Sequence, residues 1–315
     1  MIATPRAPIV VAGGINLDMV VRVPRLPHPG ETIHGKDLVQ VPGGKGANQA
    51  AAVARLGGEA RLLALVGDDD IGRRLLRSVG DDGIDARWLQ VVPDMASGVA
   101  LIAVADDGAN TIIVAPGANA RADAASVLAS ATALAGARVV MGQLEWPFGA
   151  VQALLKQAPE GAVRLLNAAP AEPRALELLP QVDWLIVNEL EAGVLTGTTV
   201  AAEASALDAG ERLCALGVAH AVITLGSKGA VLMGPVGTWV QPAPAVTVVD
   251  TTAAGDAFAG ALAVALAQGL AEEEALRLAV AAGSLACTIL GARPSLPTRA
   301  AVDHLLPRLA AGRRW

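Results

Sequence analysis

The densest chemistry in this chain lies in Asp250-Thr251-Thr252-Ala253-Ala254-Gly255-Asp256, which opens onto the alanine-rich run Ala257-Phe258-Ala259-Gly260. Small residues at 253 to 255 leave backbone N–H groups free at the start of a helix, where unpaired amides and the helix dipole favour an anion of phosphate size. A carboxylate at the edge of that hole repels phosphate, but Asp256 suits a base that takes a proton from a hydroxyl attacking phosphorus. Asp is equally common as a plain helix N-cap, so the segment alone leaves both readings open. A second segment, Gly43-Gly44-Lys45-Gly46-Ala47-Asn48, is a glycine turn running into an alanine helix; by itself it reads as well as a helix start with a solvated lysine. The phosphate loop G-x-x-x-x-G-K-[ST] is absent from the chain, and no G-x-G-x-x-G follows the first strand. Third, Asn16 and Asp18 stand two apart beyond the first apolar run, so an extended backbone projects both to one side, although Asx residues leaving a strand often only form turns.

The elements that must position these groups follow from hydrophobic pattern. Short β-branched runs at 8–13, 61–66, 138–142, 163–167, 183–187, 220–225 and 229–233 read as strands. Alanine- and leucine-rich stretches at 46–57, 70–80, 123–135, 148–157, 202–216, 256–269 and 272–290 read as helices. The alternation predicts a mainly parallel sheet covered by helices on both faces, with residues 246–249 as a further strand leading into the Asp250 turn. Residues 19–42 and 97–115 break the rhythm and predict a small antiparallel sheet inserted into one domain spanning 1–315. Polar groups follow several strands: Gln143-Leu144-Glu145, Asn188 to Glu191, and Thr224-Leu225-Gly226-Ser227-Lys228-Gly229. Open parallel sheets bind ligands outside the carboxyl ends of their strands, so these loops fall where a ligand crevice is expected.

Composition narrows the partners. The 315 residues carry a net charge of -6, no Tyr, 2 Phe and 5 Trp, with no basic stripe, which argues against nucleic acid. Apolar runs are short or broken by proline, which argues against a membrane span, and the start of the chain has no secretory pattern, so the cytoplasm is the expected compartment. Cys214 and Cys287 lie far apart and the four histidines form no ligand pair, so both thiols read as buried apolar residues and any metal as oxygen-bound.

In order, Asn16-x-Asp18, Gly43-Gly44-Lys45-Gly46-Ala47-Asn48, Asn188-x-x-Glu191, Thr224-Leu225-Gly226, Asp250-Thr-Thr-Ala-Ala-Gly-Asp256 and Gly291-Ala-Arg-Pro-Ser295 resemble the PfkB carbohydrate kinases over roughly residues 8 to 307. Within that family, Gly-Gly-Lys-Gly-Ala-Asn and Gln-Leu-Glu145 resemble the ribokinase branch. The resemblance implies a ribokinase-like three-layer α/β/α fold with the inserted sheet as a lid, and a homodimer formed through that sheet. It implies ATP-dependent phosphorylation of D-ribose at its 5-hydroxyl, with Mg2+ and a monovalent cation, K+, as ions. Carried over by position, Asn16, Asp18, Gly44, Lys45, Asn48, Ala100 and Glu145 would hold the sugar, and Asp256 would be the base. Ala254 and Gly255 would offer amides to the transferring phosphoryl group. Asn188 and Glu191 would lie near the triphosphate and its magnesium, and Thr224, Gly226, Ser227 and Gly229 would line the nucleotide site. Asp250, Thr252, Ala286, Ile289, Gly291 and Ser295 would surround the monovalent cation. Val280 stands where family members often carry His or Asn beside adenine. The rivals are a sister kinase for deoxyribose, another sugar or a nucleoside, and a sugar sensor without catalysis; the intact Asp256 turn favours the enzyme.

Overall fold

The computed structural model describes residues 7–315, so the first six residues of the expected 1–315 domain lie outside the described residues. Strands are numbered along the chain: β1 (Pro8–Ala12), β2 (Asn16–Val23), β3 (Leu38–Gly43), β4 (Glu59–Gly67), β5 (Leu89–Val92), β6 (Gly98–Ala105), β7 (Asn110–Ala115), β8 (Val139–Gln143), β9 (Val163–Asn167), β10 (Trp184–Asn188), β11 (His220–Thr224), β12 (Ala230–Gly234), β13 (Gly237–Gln241) and β14 (Arg313–Arg314). Among the described residues ten of them form one sheet in the order β14-β13-β12-β11-β10-β9-β8-β1-β4-β5. It is parallel from β11 to β5, and β12, β13 and β14 close one edge antiparallel.

Alternation along each parallel strand feeds two cores. Ile9 and Val11 of β1 with Leu62, Ala64 and Val66 of β4 pack on one face, against the helices Lys45–Arg55, Ala254–Ala267 and Glu272–Ala286. Val10 and Ala12 with Leu63 and Leu65 pack on the other, against Phe148–Gln157 and Glu203–Ala215. Period-2 side chains sandwiched between helical layers account for the near-continuous apolar strands. Alanine dominates Ala254–Ala267, which is buried along most of its length, so small side chains let it press into the layer beneath.

Several expectations are corrected. The small sheet, ordered β3-β2-β6-β7, is mixed: β2 and β6 run parallel because both leave the carboxyl edge of the main sheet in the same direction. Its register also puts Val99, Leu101 and Ala103 on the face opposite Ile112 and Val114, since Ile102 pairs with Ile112 and Leu101 with Ile113. Residues 246–249 form no strand. Pro242 and Pro244 separate the segment from the end of β13, and the Val249 and Asp250 amides donate to Cys287 O at 2.8 and 3.2 Å. That carbonyl is available because the last long helix stops at Ala286, four residues short of the expected 290. The stretch 123–135 is two short helices, Ala124–Ala129 and Ala131–Leu134, and both cysteines are half-buried rather than buried.

Candidate active site

β1 lies between β8 and β4, the place where the chain stops building the sheet in one direction and starts in the other, and the carboxyl ends open a crevice there. Gly13 and Gly14 follow β1, Gln143 ends β8 with Glu145 just beyond, Asn167 ends β9, Asn188 ends β10 and Thr224 ends β11. Two helix N-termini aim into the same space, those of Lys45–Arg55 and Ala254–Ala267. The first is brought in by Gly44, whose φ is 88° and where a Cβ would sit 2.6 Å from Gly14 O; no other residue tolerates both demands. Its opening amide, Lys45 N–H, donates to Glu145 Oε2 at 2.8 Å.

Asp256 stands on the first turn of the second helix, 6% exposed. Asn48 Nδ2 donates to its Oδ2 at 3.1 Å and Gln49 Nε2 to its Oδ1 at 3.0 Å, so the carboxylate is clamped by two amides from one helix. Burial raises its pKa, opposed by the Lys45 ammonium, the two amides and Arg293. Burial also pushes Glu145 up to about 7 against the pull of Lys45, and Asp18 up to about 6 against Arg293, with Asp256 adding to the rise. Lys45 responds in the opposite sense. Burial alone would lower it, but the surrounding Asp256, Glu145 and Glu191 carboxylates raise it overall, so it is held as an ammonium. Asp18, Lys45, Asn48, Glu145 and Asp256 therefore form one electrostatic unit, although 238 residues separate the first from the last.

The small sheet carries the other residues expected to face the crevice. Asn16, Asp18 and Ala100 lie at the end of β2 and β6 next to the main sheet, with Asp18 paired to Ala100 in register. Asn16 is buried and its Oδ1 accepts from Asn119 Nδ2 at 2.9 Å, while Asn119 also bonds both backbone groups of Ile15 at 3.2 and 3.0 Å. That side chain fixes Asn16 before any ligand arrives.

On the other side of Asp256, Asn188 and Glu191 form a reciprocal capping box: Glu191 N–H donates to Asn188 Oδ1 and Asn188 N–H to Glu191 Oε2, both at 2.8 Å. The motif thus has a structural task as well as its place beside the crevice, and burial raises the Glu191 pKa despite the Asn188 amide and Lys45. Thr224 ends β11, Gly226 and Ser227 lie on the turn Gly226–Lys228, and Gly229 follows it where the chain reverses into β12. Of the amides expected to face an anion at 254 and 255, the structure leaves the second without a partner among the described residues. Ala254 N–H closes a turn onto Thr251 O at 3.2 Å, whereas the Gly255 and Asp256 amides have no acceptor among the described residues. Ala253, in the left-handed region at φ 61°, makes that turn at a steric cost Gly would avoid. Val280 faces the core at 4% exposure, so its side chain presents no polar group to a base.

The candidate cation loops meet. Asp250 Oδ1 accepts from Thr252 N at 2.9 Å and Thr252 Oγ1 at 2.6 Å, and Asp250 Oδ2 accepts from Gly291 N at 2.8 Å. Burial opposes it, but these bonds hold the Asp250 carboxyl below the usual range. Buried Ser295 donates to Ala292 O at 2.8 Å and lies 3.5 Å from Thr252 O, and Ala286 ends its helix with a carbonyl free of intrahelical partners. Carboxylate, hydroxyl and carbonyl oxygens therefore border one loop junction, a donor set suited to a hard monovalent ion. The Ile289 side chain, expected beside the same ion, is exposed.

Sequence reasoning missed Gln49, Asn167 and Arg293. Gln49 Nε2 also donates to Asn167 Oδ1 at 3.0 Å, and its Oε1 accepts from Gln143 Nε2 at 2.6 Å, so a chain of amides braces the Asp256 carboxylate from below. The rule that flagged Gln143-x-Glu145 as a strand-end group also fits Asn167, the last residue of β9; Gln49 gave no signal beyond standing next to Asn48.

The model of the pfkB family carbohydrate kinases matches residues 6–299. A ribokinase from Haemophilus influenzae is 37% identical over 295 residues, 93% of this chain and 96% of that protein. One from Bacillus subtilis is 36% identical, covering 95% and 99%. In structure the chain is similar to a ribokinase from Arabidopsis thaliana solved with ribose and ATP, with a TM-score of 0.88 and 35% identity across 96% of this chain and 99% of that one.

Proposed function

The chain belongs to the pfkB family of carbohydrate kinases, and from that membership we propose that it transfers the γ-phosphate of ATP to the 5-hydroxyl of D-ribose, giving ribose 5-phosphate and ADP. The observation that carries this reading is the clamped Asp256 carboxylate at an open helix N-terminus, inside a crevice ringed by Asp18, Lys45, Asn48 and Glu145. A small polyol needs a hydrogen-bond partner for each hydroxyl, and this polar ring supplies carboxylates, an amide and an ammonium without aromatic surface for a base. Asp256 takes the proton of the terminal hydroxymethyl as that oxygen attacks phosphorus, and the Gly255 and Asp256 amides stabilise the charge on the phosphoryl oxygens. Asn16, Asp18, Gly44, Asn48, Ala100 and Glu145 orient the sugar; Thr224, Gly226, Ser227 and Gly229 hold the nucleotide.

Mg2+ would neutralise the triphosphate beside Asn188 and Glu191. Among the described residues no three His, Cys, Asp or Glu side chains gather as a metal cage, and a nucleotide-borne Mg2+ needs none, because phosphate oxygens and water fill most of its shell. A monovalent cation, K+ by preference, would bind between the Asp250–Thr252 turn and the Gly291–Ser295 loop and order the turn that presents Asp256.

The small sheet serves as lid and as the contact with a second copy of the chain. The row Val39, Val20, Ile102 and Ile112 continues the face that carries Asp18 and Ala100, and exposed Leu38, Leu101 and Ile113 mark the reverse face. Four strands with apolar residues open on both faces need cover, and a second copy provides it symmetrically.

ADP release with ribose, deoxyribose, fructose, adenosine and pseudouridine, each with and without K+, tests the reading. Fastest turnover per KM with ribose is expected. A clear preference for another acceptor would reassign the substrate, and no turnover with any would favour a binding protein.

A further inference from the structure

Arg293 sits in the one-turn helix Ala292–Ser295, between the helices Glu272–Ala286 and Arg299–Leu305, with only 5% of its surface exposed. Its Nη1 pairs with Asp82, its Nε donates to Asn48 Oδ1 at 3.3 Å, and its Nη2 has no acceptor among the described residues. Asp82 also receives Arg55 at 3.3 Å, and Arg55 grips the same segment through Arg293 O at 2.7 Å and Leu296 O at 3.0 Å. A buried guanidinium with one donor unsatisfied is a poor stabilising device, which directs attention to what its other donors do.

Asn48 lies between two groups that each accept only one orientation of its amide. Arg293 offers donors alone and Asp256 acceptors alone, so Oδ1 must face the guanidinium and Nδ2 the carboxylate. We propose that Arg293 is a positioning residue for the base, fixing the Asn48 amide so that its N–H groups meet Asp256 and thereby tying the Gly291–Ser295 loop to the reacting carboxylate. Without Arg293 the amide is free to turn over, which sets oxygen against oxygen and withdraws one of the two donors that hold Asp256 ionised and aligned. Lys45, Arg293, Asp18 and Glu145 are the charged groups facing Asp256, so losing Arg293 removes one of only two favourable charges as well. The inference rests on the reading of Asp256 as base.

The test is the pH dependence of kcat at saturating sugar and ATP, beside thermal melts, in Arg293→Met, Arg293→Lys, Asp82→Asn and Asp256→Asn. Arg293→Met is expected to lower kcat about tenfold and move its acid limb up by about one pH unit, the size of one lost hydrogen bond to a carboxylate, with the KM for ATP little changed. Lysine keeps the charge but cannot reach Asn48 and Asp82 together, so Arg293→Lys should fall between. Asp82→Asn leaves the Arg293–Asn48 bond in place and should lower the melting temperature without moving the limb. If both Arg293 variants lose stability while their acid limbs stay with wild type, Arg293 only braces the loop and the proposal is overturned. Normal turnover in Asp256→Asn would instead overturn the base itself, a separate outcome.

Discussion

If Asp256 is the base proposed above, the chemistry depends on one proton acceptor, and Asp256→Asn keeps the side-chain shape while removing basicity. Turnover should fall by about 10² to 10⁴ with sugar and nucleotide binding retained; near-normal kcat by coupled assay would reject the role. Asp18, Asn48 and Glu145 should each contribute to sugar affinity, with roughly 1 to 3 kcal/mol lost per alanine substitution wherever a buried hydroxyl is left unpaired. Calorimetry showing unchanged ribose affinity in all three would put the pocket elsewhere. The same acids govern stability. Because burial lifts Asp18 to about 6 and Glu145 to about 7, the free folded protein retains protons that the unfolded chain has released by then, so stability falls as pH rises from about 4 to 7. Glu145→Gln removes on the order of 3 kcal/mol of that burden above pH 7 and should flatten the dependence. Melting curves at pH 5 and 8 check this, and an equal slope in the variant would contradict it.

Among the elements, the turn from Asp250 to Asp256 holds its shape through contacts from a loop forty residues later, since Asp250 bonds Gly291 and Ser295 lies against Thr252. A cation seated there touches no substrate, yet it should activate by ordering the turn. K+ is expected to raise kcat in ion-exchanged enzyme, and Asp250→Ala to abolish the response. Equal activity in Na+, K+ and Tris would remove the cation from the mechanism. Capping by Asn188 and Glu191 shows how one pair serves two ends: substitution there should loosen the helix Glu189–Thr196 as well as weaken any contact with the triphosphate.

For the whole molecule, the proposed roles of the small sheet as lid and as contact with a second copy would link catalysis to assembly. Ile102 and Ile112 are register partners in the row that runs outward from Asp18 and Ala100. Replacing either with Asp should weaken self-association and raise the sugar KM together, because a lid without its cover closes poorly. Sedimentation and kinetics on the same variants decide the point. A wild-type monomer at micromolar concentration with full activity would separate lid from dimer. No helix among the described residues is long and apolar enough to cross a membrane.

Local pattern determined a good deal by itself: the parallel strands, most helices, the strand-end position of Gln143, Asn188 and Thr224, and the Asp250–Asp256 turn, all set by nearest neighbours and by the periods of strand and helix. The family resemblance added roles to residues that spacing left ambiguous, Lys45 and Asn48 above all. What the chain order concealed is what long-range packing decides. The mixed pairing of β2 with β6, the failure of 246–249 to join a sheet, and the capture of Cys287 O by the Val249 and Asp250 amides depend on partners tens of residues away. Likewise the amide of Ala254 looked free and is taken, while Gln49, Asn167 and Arg293 looked ordinary and belong to the hydrogen-bond network that holds Asp256. Hydrogen-bond direction is a property of both partners in place, and only the folded chain brings Asn48 between a guanidinium and a carboxylate.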